Sequence, residues 1–482
     1  MSAAVAAQTA TTSDLALLVP ELILVGTCLV LLVIARRIRR APVAAVATIL
    51  AAVAAGATSC WALSRVTGPG STGFGGMFVV DGYSQFFKVL IVCTLVIVAL
   101  VSRKSIELAR VPHAEYHALM LLAATGMMLA VSALDMLVLY LGLELMTLCS
   151  FVLVGITVER AASNEAAIKY FLLGSFASAI LLFGISLTYG ITGATDFGAI
   201  ASTLVEHRLD STPLLVVAIG LVVAGLAFKI AAVPFHAWAP DAYQGSLTPV
   251  AAFLAAGSKA AGLAALGRVS LVAFGYRGEL VSGILVGLAA LSIIVGSIVA
   301  LSQTHIRRLL AYSSIAHAGF ALLGLIAGTS EGASATMTYA FFYVFMTLGA
   351  FSVVAALGER GETLNGFEGL AAQRPGTAAL MLLFLLSLTG IPPTGGFTAK
   401  FVVIQSAVRA GHVELAVLAV VFSVVSAFVY MRIAVLMYMK EPREPAPERT
   451  PAALSAALAL AALITLIGGL LPGSLAPWAV SP

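Results

Sequence analysis

Long apolar runs follow one another along the whole chain, separated by short polar segments. They begin near Leu15, Pro42, Tyr83, Leu119, Met136, Ala166, Pro213, Thr248, Leu280, Leu309, Ala333, Thr377, Val413 and Ala452. Each run has about 20 residues or more, the length with which an α-helix crosses the hydrocarbon core of a bilayer. None has the short alternating pattern that is typical of membrane β-barrels. The pattern predicts an all-α polytopic membrane protein with about 14 transmembrane helices.

Composition and motifs narrow the class of protein. Hydrophobic residues make up 61% of the 482 residues and charged residues only 10%, too few to cover the surface of a soluble protein. The loops are short, and the sequence contains no Walker motif, no haem-attachment motif and no metal-ligand spacing among its four cysteines. We therefore expect no cofactor and no metal in this chain. The net charge of +4 reflects the loops and gives no reason to expect a nucleic-acid partner.

Lysine and arginine are distributed unequally between alternate loops. One set of loops holds sixteen of the 26, including four arginines from Arg36 to Arg40. Cytoplasmic loops carry an excess of Lys and Arg, so the pattern places these sixteen in the cytoplasm and both termini on the opposite side of the membrane. The opposite loops hold Arg65, Arg208, Arg268, Arg277 and Arg409, and the spans hold Lys88, Lys229, Lys259, Lys400 and Arg432.

Two predicted helices combine a lysine with residues that interrupt a helix. In the seventh, Pro234 follows Lys229, and in the twelfth, Pro392 and Pro393 precede Lys400. A lysine at the centre of a membrane helix costs about 2.5–3.5 kcal/mol on insertion scales, and proline removes a backbone hydrogen bond. Interrupted helices in corresponding positions indicate inverted repeats around a central ion path. We predict three N-terminal helices over residues 1–117, five-helix repeats over 118–268 and 269–440, and a last helix over 441–482.

Several other ionisable residues lie within or beside the spans. Glu144 and Lys259 each lie near the middle of a span, where an ionisable side chain is by default functional. His317 lies inside the tenth span and either relays protons or makes an ordinary hydrogen bond, whereas His305 is closer to the surface. If Glu144 can approach and leave Lys229, the lysine alternately holds and releases a proton. A 100-fold change in proton affinity corresponds to about 2.7 kcal/mol, close to the roughly 2.3 kcal/mol that moving one charge against 100 mV requires.

A structural role is favoured for four others. Lys88 and Arg432 lie nearer the ends of their spans and are predicted to snorkel towards the membrane surface. His236 and Asp241, in the predicted loop after the first break, are expected to bind freed backbone groups.

Three long motifs in order resemble the antiporter-like subunits of respiratory complex I and their relatives in Mrp-type cation/proton antiporters. They are Glu165–Ser178, Val233–Gly245 and Arg308–His317, within a matching stretch from about Leu139 to Val408. Among these subunits, subunit M usually carries a glutamate at the position of Lys400, and subunit L is longer and has a lateral helix. The motif Gly390–Phe401 is more similar to the remaining type. One departure is Leu247, where relatives commonly have proline.

The resemblance implies a proton-translocating membrane-arm subunit of NADH:quinone oxidoreductase that carries out no redox chemistry itself. Glu144 and Lys229 would be a modulating ion pair, Lys259 the central relay, and Lys400 the lysine of the outlet, with His305 or His317 joining the halves. FMN, iron–sulfur clusters and quinone would be bound by partner subunits. The implied partners are other membrane-arm subunits, especially M and K, and membrane lipid. The alternatives are a subunit of a Mrp-type antiporter or membrane-bound hydrogenase, and a non-conducting structural membrane subunit.

Overall fold

The structure, a computed structural model, describes residues 12–35, 41–65, 70–207, 212–443, 445 and 449–471. Eleven of the helices in this part of the chain are long and apolar enough to cross a membrane. One small hairpin pairs β1 (Ser71–Gly73) with β2 (Phe78–Val80) in an antiparallel register. The predicted all-α membrane fold is therefore confirmed, with the hairpin as a minor addition.

The α-helices follow one another with short connections. In chain order they are α1 (Thr12–Leu17), α2 (Val19–Ile34), α3 (Ala41–Arg65), α4 (Gly82–Leu108), α5 (His113–Val131), α6 (Met136–Val154), α7 (Ala161–Thr192), α8 (Phe197–Glu206), α9 (Pro213–Lys229), α10 (Trp238–Gly245), α11 (Thr248–Phe253), α12 (Lys259–Arg268), α13 (Gly278–Ser302), α14 (Ile306–Ile326), α15 (Ser330–Leu357), α16 (Leu370–Gln373), α17 (Pro375–Thr389), α18 (Gly395–Arg409), α19 (Val413–Met439) and α20 (Ala452–Leu470). A π-helical segment, Leu254–Ser258, joins α11 to α12.

The bundle has two distinct ends. The hairpin lies at one end, where Phe78 pairs with Ala133 and Asp135 with Asp196; we call this the hairpin end. At the opposite end, the segment before α14 pairs with the connection after α15, through a bridge between His305 and Thr363.

Small residues let neighbouring helices approach closely around the centre of the bundle. A Cβ at Gly296 of α13 would lie 2.5 Å from the backbone nitrogen of Ala316 in α14, and one at Gly142 of α6 would lie 2.7 Å from that of Ala130 in α5. Such close approach is the usual way in which membrane helices pack. It fixes α14 and α6, the helices that carry His317 and Glu144.

Both predicted helix interruptions are present. The α9 helix ends at Lys229, and Ala231 has the unusual φ of 55° for a residue with a side chain. The α17 helix ends at Thr389 and α18 begins at Gly395, so the apolar run that begins near Thr377 is two helices. Pro234, Pro392 and Pro393 all lie in the non-helical connections.

Three predictions about individual segments are wrong. Lys88 does not snorkel, because it is fully buried against Glu21. Arg268 is not in a loop but at the end of the buried helix α12. The segment from His236 to Gln244 is largely the helix α10. Arg432 donates to the carbonyls of Leu301 and Gln303 near the end of its span, and its snorkelling stays a prediction. The arginines at 36–40 and Arg208 lie outside the described residues.

Candidate functional site

Glu144 and Lys229 meet where α9 is interrupted. Lys229 Nζ lies 3.3 Å from Glu144 Oε1 and donates to Thr147 Oγ1 at 2.7 Å. Ser178 of α7 donates a short hydrogen bond to the same carboxylate oxygen. Lys229 is only 3% exposed, whereas Glu144 is half-buried. Helices α6, α7 and α9 thus assemble an ion pair that two hydroxyl groups complete.

The broken backbone after α9 explains how a lysine is tolerated there. Lys229 is the last residue of the helix, where the carbonyl ends of the peptide dipoles favour a cation. The freed backbone groups find partners: Trp238 Nε1 donates to the Phe228 carbonyl at 3.0 Å, and the Val233 amide donates to Ser292 Oγ at 2.9 Å. These bonds meet the requirement that backbone groups inside a membrane be satisfied within the protein.

Lys259 is the most enclosed ionisable residue of the predicted set. It is 1% exposed and follows the π-helical segment Leu254–Ser258 directly. Its Nζ donates to both the carbonyl and the hydroxyl oxygen of Ser314 on α14, each at 2.7 Å. These oxygens are neutral, so within the described part of the chain Lys259 is hydrogen-bonded to no carboxylate.

The α14 helix carries a row of side chains from Lys259 towards Lys400. Ser314, His317 and Phe320 are spaced three residues apart, which places them on the same side of a helix. His317 Nδ1 lies 2.6 Å from Tyr339 Oη, and its Nε2 lies 3.3 Å from Tyr430 Oη. Buried His317 is therefore held between two hydroxyls, each able to donate or accept a proton.

Lys400 lies beside the second helix interruption. Its Nζ donates to the carbonyl of Thr389, the last residue of α17, at 2.9 Å, and to Ser423 Oγ at 3.4 Å. The same ammonium lies 4.5 Å from the ring centroid of Phe320. Lys400 therefore has the carbonyl end of a broken helix as its partner, and Phe320 joins it to the α14 row.

His305 does not join this row. It precedes the first residue of α14 and is half-buried. Its twelve-residue separation from His317 corresponds to about 18 Å along a helix. Of the two histidines, His317 is the one that the structure places among the buried lysines.

Sequence reasoning missed a charged cluster at the opposite end of the bundle. Asp241 of α10 accepts hydrogen bonds from Arg308 at 2.5 Å and Lys169 at 3.2 Å, so it does not merely bind loop backbone. The three side chains line a cavity of about 290 Å³. The charges at these positions were visible in the sequence, but their convergence depends on how α7, α10 and α14 pack.

The geometry defines a class of protein. Buried lysines, a carboxylate and a histidine lie on helices that are interrupted inside an apolar bundle, which is the arrangement of ion-translocating membrane proteins. Within the described residues, no group of three or more His, Cys, Asp or Glu side chains could hold a metal ion.

Comparison with known proteins gives the family. Residues 133–426 match the family described as NADH:quinone oxidoreductase/Mrp antiporter, TM. The chain is 45% identical over 450 residues to NADH-quinone oxidoreductase subunit N of Desulfovibrio desulfuricans, covering 89% of both chains. The chain belongs to this family.

Solved structures agree in fold. A chain of respiratory complex I from Thermus thermophilus is 35% identical and superposes with a TM-score of 0.82, covering 96% of this chain and 100% of that one. A chain of the Mrp complex from a Dietzia species also has a TM-score of 0.82, covering 97% of this chain and 96% of that one. It is 23% identical, so that likeness concerns the fold alone.

Proposed function

We propose that this chain translocates protons as a membrane-arm subunit of an NADH:quinone oxidoreductase, in the position of subunit N. The observation that carries the proposal is the sequence of buried groups from the Glu144–Lys229 pair through Lys259 and His317 to Lys400. The identity to a subunit N over nearly nine-tenths of both chains supports it.

Each group has a role that its contacts suggest. Lys229 holds a proton while Glu144 is beside it and releases it when the carboxylate moves away, because the charged form loses its partner in a desolvated place. Lys259 receives that proton onto a site with only neutral partners, from which it is readily passed on. His317, between two tyrosine hydroxyls, carries it towards Lys400. Lys400, at the second interruption, delivers it to the outlet. His305 has no position on this route.

The topology that goes with this function has fourteen crossings. Eleven long helices each cross once. The shorter helix α2 adds one crossing, and the interrupted pairs α9–α10 and α17–α18 add one crossing each. We keep the five-helix inverted repeats over 118–268 and 269–440, since each contains one interrupted helix and one buried lysine beside it. The excess of Lys and Arg puts the end opposite the hairpin in the cytoplasm and both termini in the periplasm of a bacterial cell.

Energy would reach the chain from its partners. NADH oxidation and quinone reduction, with FMN and iron–sulfur clusters, take place in other subunits of the proposed complex. Within the membrane arm we expect subunits M and K as neighbours, together with lipid. The change that drives transport is a rearrangement of the Glu144–Lys229 pair.

An antiporter subunit is the second candidate, because the Mrp complex shares the fold. An affinity tag on this chain separates the two functions. We expect flavin and iron–sulfur subunits to co-purify in mild detergent, and the reconstituted complex to move protons on addition of NADH. Sodium-driven proton exchange without NADH, from a complex that lacks flavin, would contradict the proposal and favour the antiporter.

Removing one hydroxyl beside Lys229 is expected to weaken transport without abolishing it. A hydrogen bond to a charged group contributes about 1.5–3 kcal/mol, so Thr147→Val should slow NADH-driven proton translocation roughly tenfold or more. Thr188→Val is the matched control, since the buried Thr188 hydroxyl donates to the carbonyl of Gly184 in its own helix and, among the described residues, contacts no charged group. Equal rates in the two variants would show that the contact to Lys229 has no role.

A further inference from the structure

A second buried ion pair lies outside the antiporter-like region, between α2 and α4. Lys88 Nζ is 2.7 Å from Glu21 Oε1, and the two side chains are 0% and 4% exposed. Lys88 also lies 4.8 Å from the ring centroid of Phe78 in the hairpin. The central row of lysines does not include this pair, which the transport route described above leaves without a role.

The pair is poorly satisfied for its depth. Among the described residues, both carboxylate oxygens of Glu21 and the ammonium of Lys88 lack any well-aligned hydrogen bond, despite their short contact. A buried ion pair offsets its desolvation only with excellent geometry and further hydrogen bonds. If the pair only held α2 to α4, its desolvation would cost more free energy than its contacts return. A carboxylate that changes its protonation state accounts better for its presence.

A cavity at the hairpin end is lined by neighbours of the pair in the chain. Its volume is about 440 Å³, enough for several water molecules. Pro20 and Gln85 line it, next to Glu21 in the chain and one helical turn before Lys88, respectively. Gln85 is 1% exposed, and its Oε1 has no hydrogen-bond partner among the described residues. Buried amide oxygens normally have a hydrogen-bond partner, so a water molecule that enters from the cavity would find an acceptor here.

We propose that Glu21 is a proton-exchange site that opens to the aqueous phase at the hairpin end. A hydronium ion in the cavity gives its proton to the Glu21 carboxylate: an O–H bond forms on the carboxyl group, and a water molecule is left behind. Lys88 keeps its own proton, since the Phe78 ring stabilises the ammonium when Glu21 is neutral. The reverse step returns the proton to water and restores the ion pair.

Few other charges can control this exchange. The helices α12 and α15, which pack against α4, carry Lys259, Arg268, Glu331, Tyr339 and Tyr343. Other charged or titratable groups near the pair are Asp14 of α1, Cys28 of α2, Cys60 and Arg65 of α3, Tyr83, Cys93, Arg103, Lys104 and Glu107 of α4, and Asp81 before α4, whose carboxylate is bound by Arg268. On α5 they are His113, Glu115, Tyr116 and His117, all in the first two turns of the helix, at the end opposite the hairpin. Arg65 lines the same cavity and lies 4.6 Å from the Trp61 ring centroid. Changes in pH at the hairpin end should therefore act on Glu21 mainly through the cavity.

Infrared difference spectra of the assembled complex test this inference directly. Spectra recorded between acidic and alkaline buffers should contain a carbonyl band of a protonated, poorly hydrated carboxyl group. That band should be lost in Glu21→Gln and kept in Glu331→Gln, which removes an exposed carboxylate at the same end. In Gln85→Leu the band should remain but exchange with deuterium more slowly. Because protonation is measured and not transport, the result does not depend on the proposed function.

Two results would overturn the proposal. Spectra of Glu21→Gln that superimpose on those of the parent complex would mean that the pair stays charged and only holds α2 to α4. Should Glu21→Gln fail to assemble, Glu21→Asp keeps the carboxyl group and is expected to shift the band, and an unshifted band would exclude Glu21 as its source.

Discussion

A complex that carries Lys259→Met is expected to lose proton translocation through this chain, by on the order of 100-fold, as when a proton-transfer group is removed. Methionine keeps most of the apolar stem, so the packing of the fully buried helix α12 is preserved. It removes the group through which the proposed route passes between the Glu144–Lys229 pair and His317. The measurement is the number of protons moved per NADH oxidised in liposomes, where partner subunits continue to pump and the ratio falls without reaching zero.

Two further substitutions show whether proton release or charge alone is required. Lys259→Arg keeps the positive charge but cannot give up its proton at any relevant pH, so we expect assembly with the same loss of transport. Lys440→Met removes an exposed lysine beyond the end of α19 and should leave the ratio unchanged. Normal pumping by Lys259→Arg would mean that the charge matters only electrostatically and that Lys259 is not a relay.

The interrupted helices could be predicted because their signals are local. A lysine inside an apolar run is unfavourable in a membrane whatever surrounds it, and a proline removes a hydrogen bond in any helix. Hydropathy and proline positions therefore located both interruptions, as well as the depth of Lys259. The pairing of Glu144 with Lys229 was suggested by their depth and opposite charge and by likeness to a family, and the structure places Lys229 Nζ 3.3 Å from Glu144 Oε1.

Partners that belong to other helices could not be predicted in the same way. Hydropathy indicates how deep a residue lies but not which helix faces it. Lys259 finds Ser314 as its hydrogen-bond partner because α12 packs against α14. Arg308 finds Asp241 because α10 packs against α14. The prediction for Lys88 was wrong for the same reason. Its position near the start of a span suggested snorkelling, but Glu21 on another helix makes its burial possible.

Arg268→Met is expected to destabilise the chain by about 3–5 kcal/mol, the usual effect of breaking a buried ion pair from one side. Arg268 forms a bidentate pair with Asp81, with Nη1 to Oδ2 at 2.8 Å and Nη2 to Oδ1 at 2.9 Å. It ties the end of α12 to the start of α4 at the hairpin end. Loss of the guanidinium leaves the Asp81 carboxylate buried without a counter-charge. The measurement is the midpoint of thermal disassembly of the purified complex, or the amount that assembles.

Adding Asp81→Asn to Arg268→Met should restore most of the lost stability. This double variant shows whether the destabilisation comes from the unpaired Asp81 charge or from lost packing of the Arg268 side chain. Asp81 also caps α4 by accepting the Ser84 amide at 2.7 Å, and asparagine is an equally good cap. The double variant therefore keeps the cap and removes the stranded charge. Arg409→Met, which breaks an exposed pair with Glu331 at the same end, should change nothing measurable. If Arg268→Met and the double variant were equally unstable, the guanidinium would act through its packing on Tyr83, with its centre 4.9 Å from the ring centroid, and not through its charge.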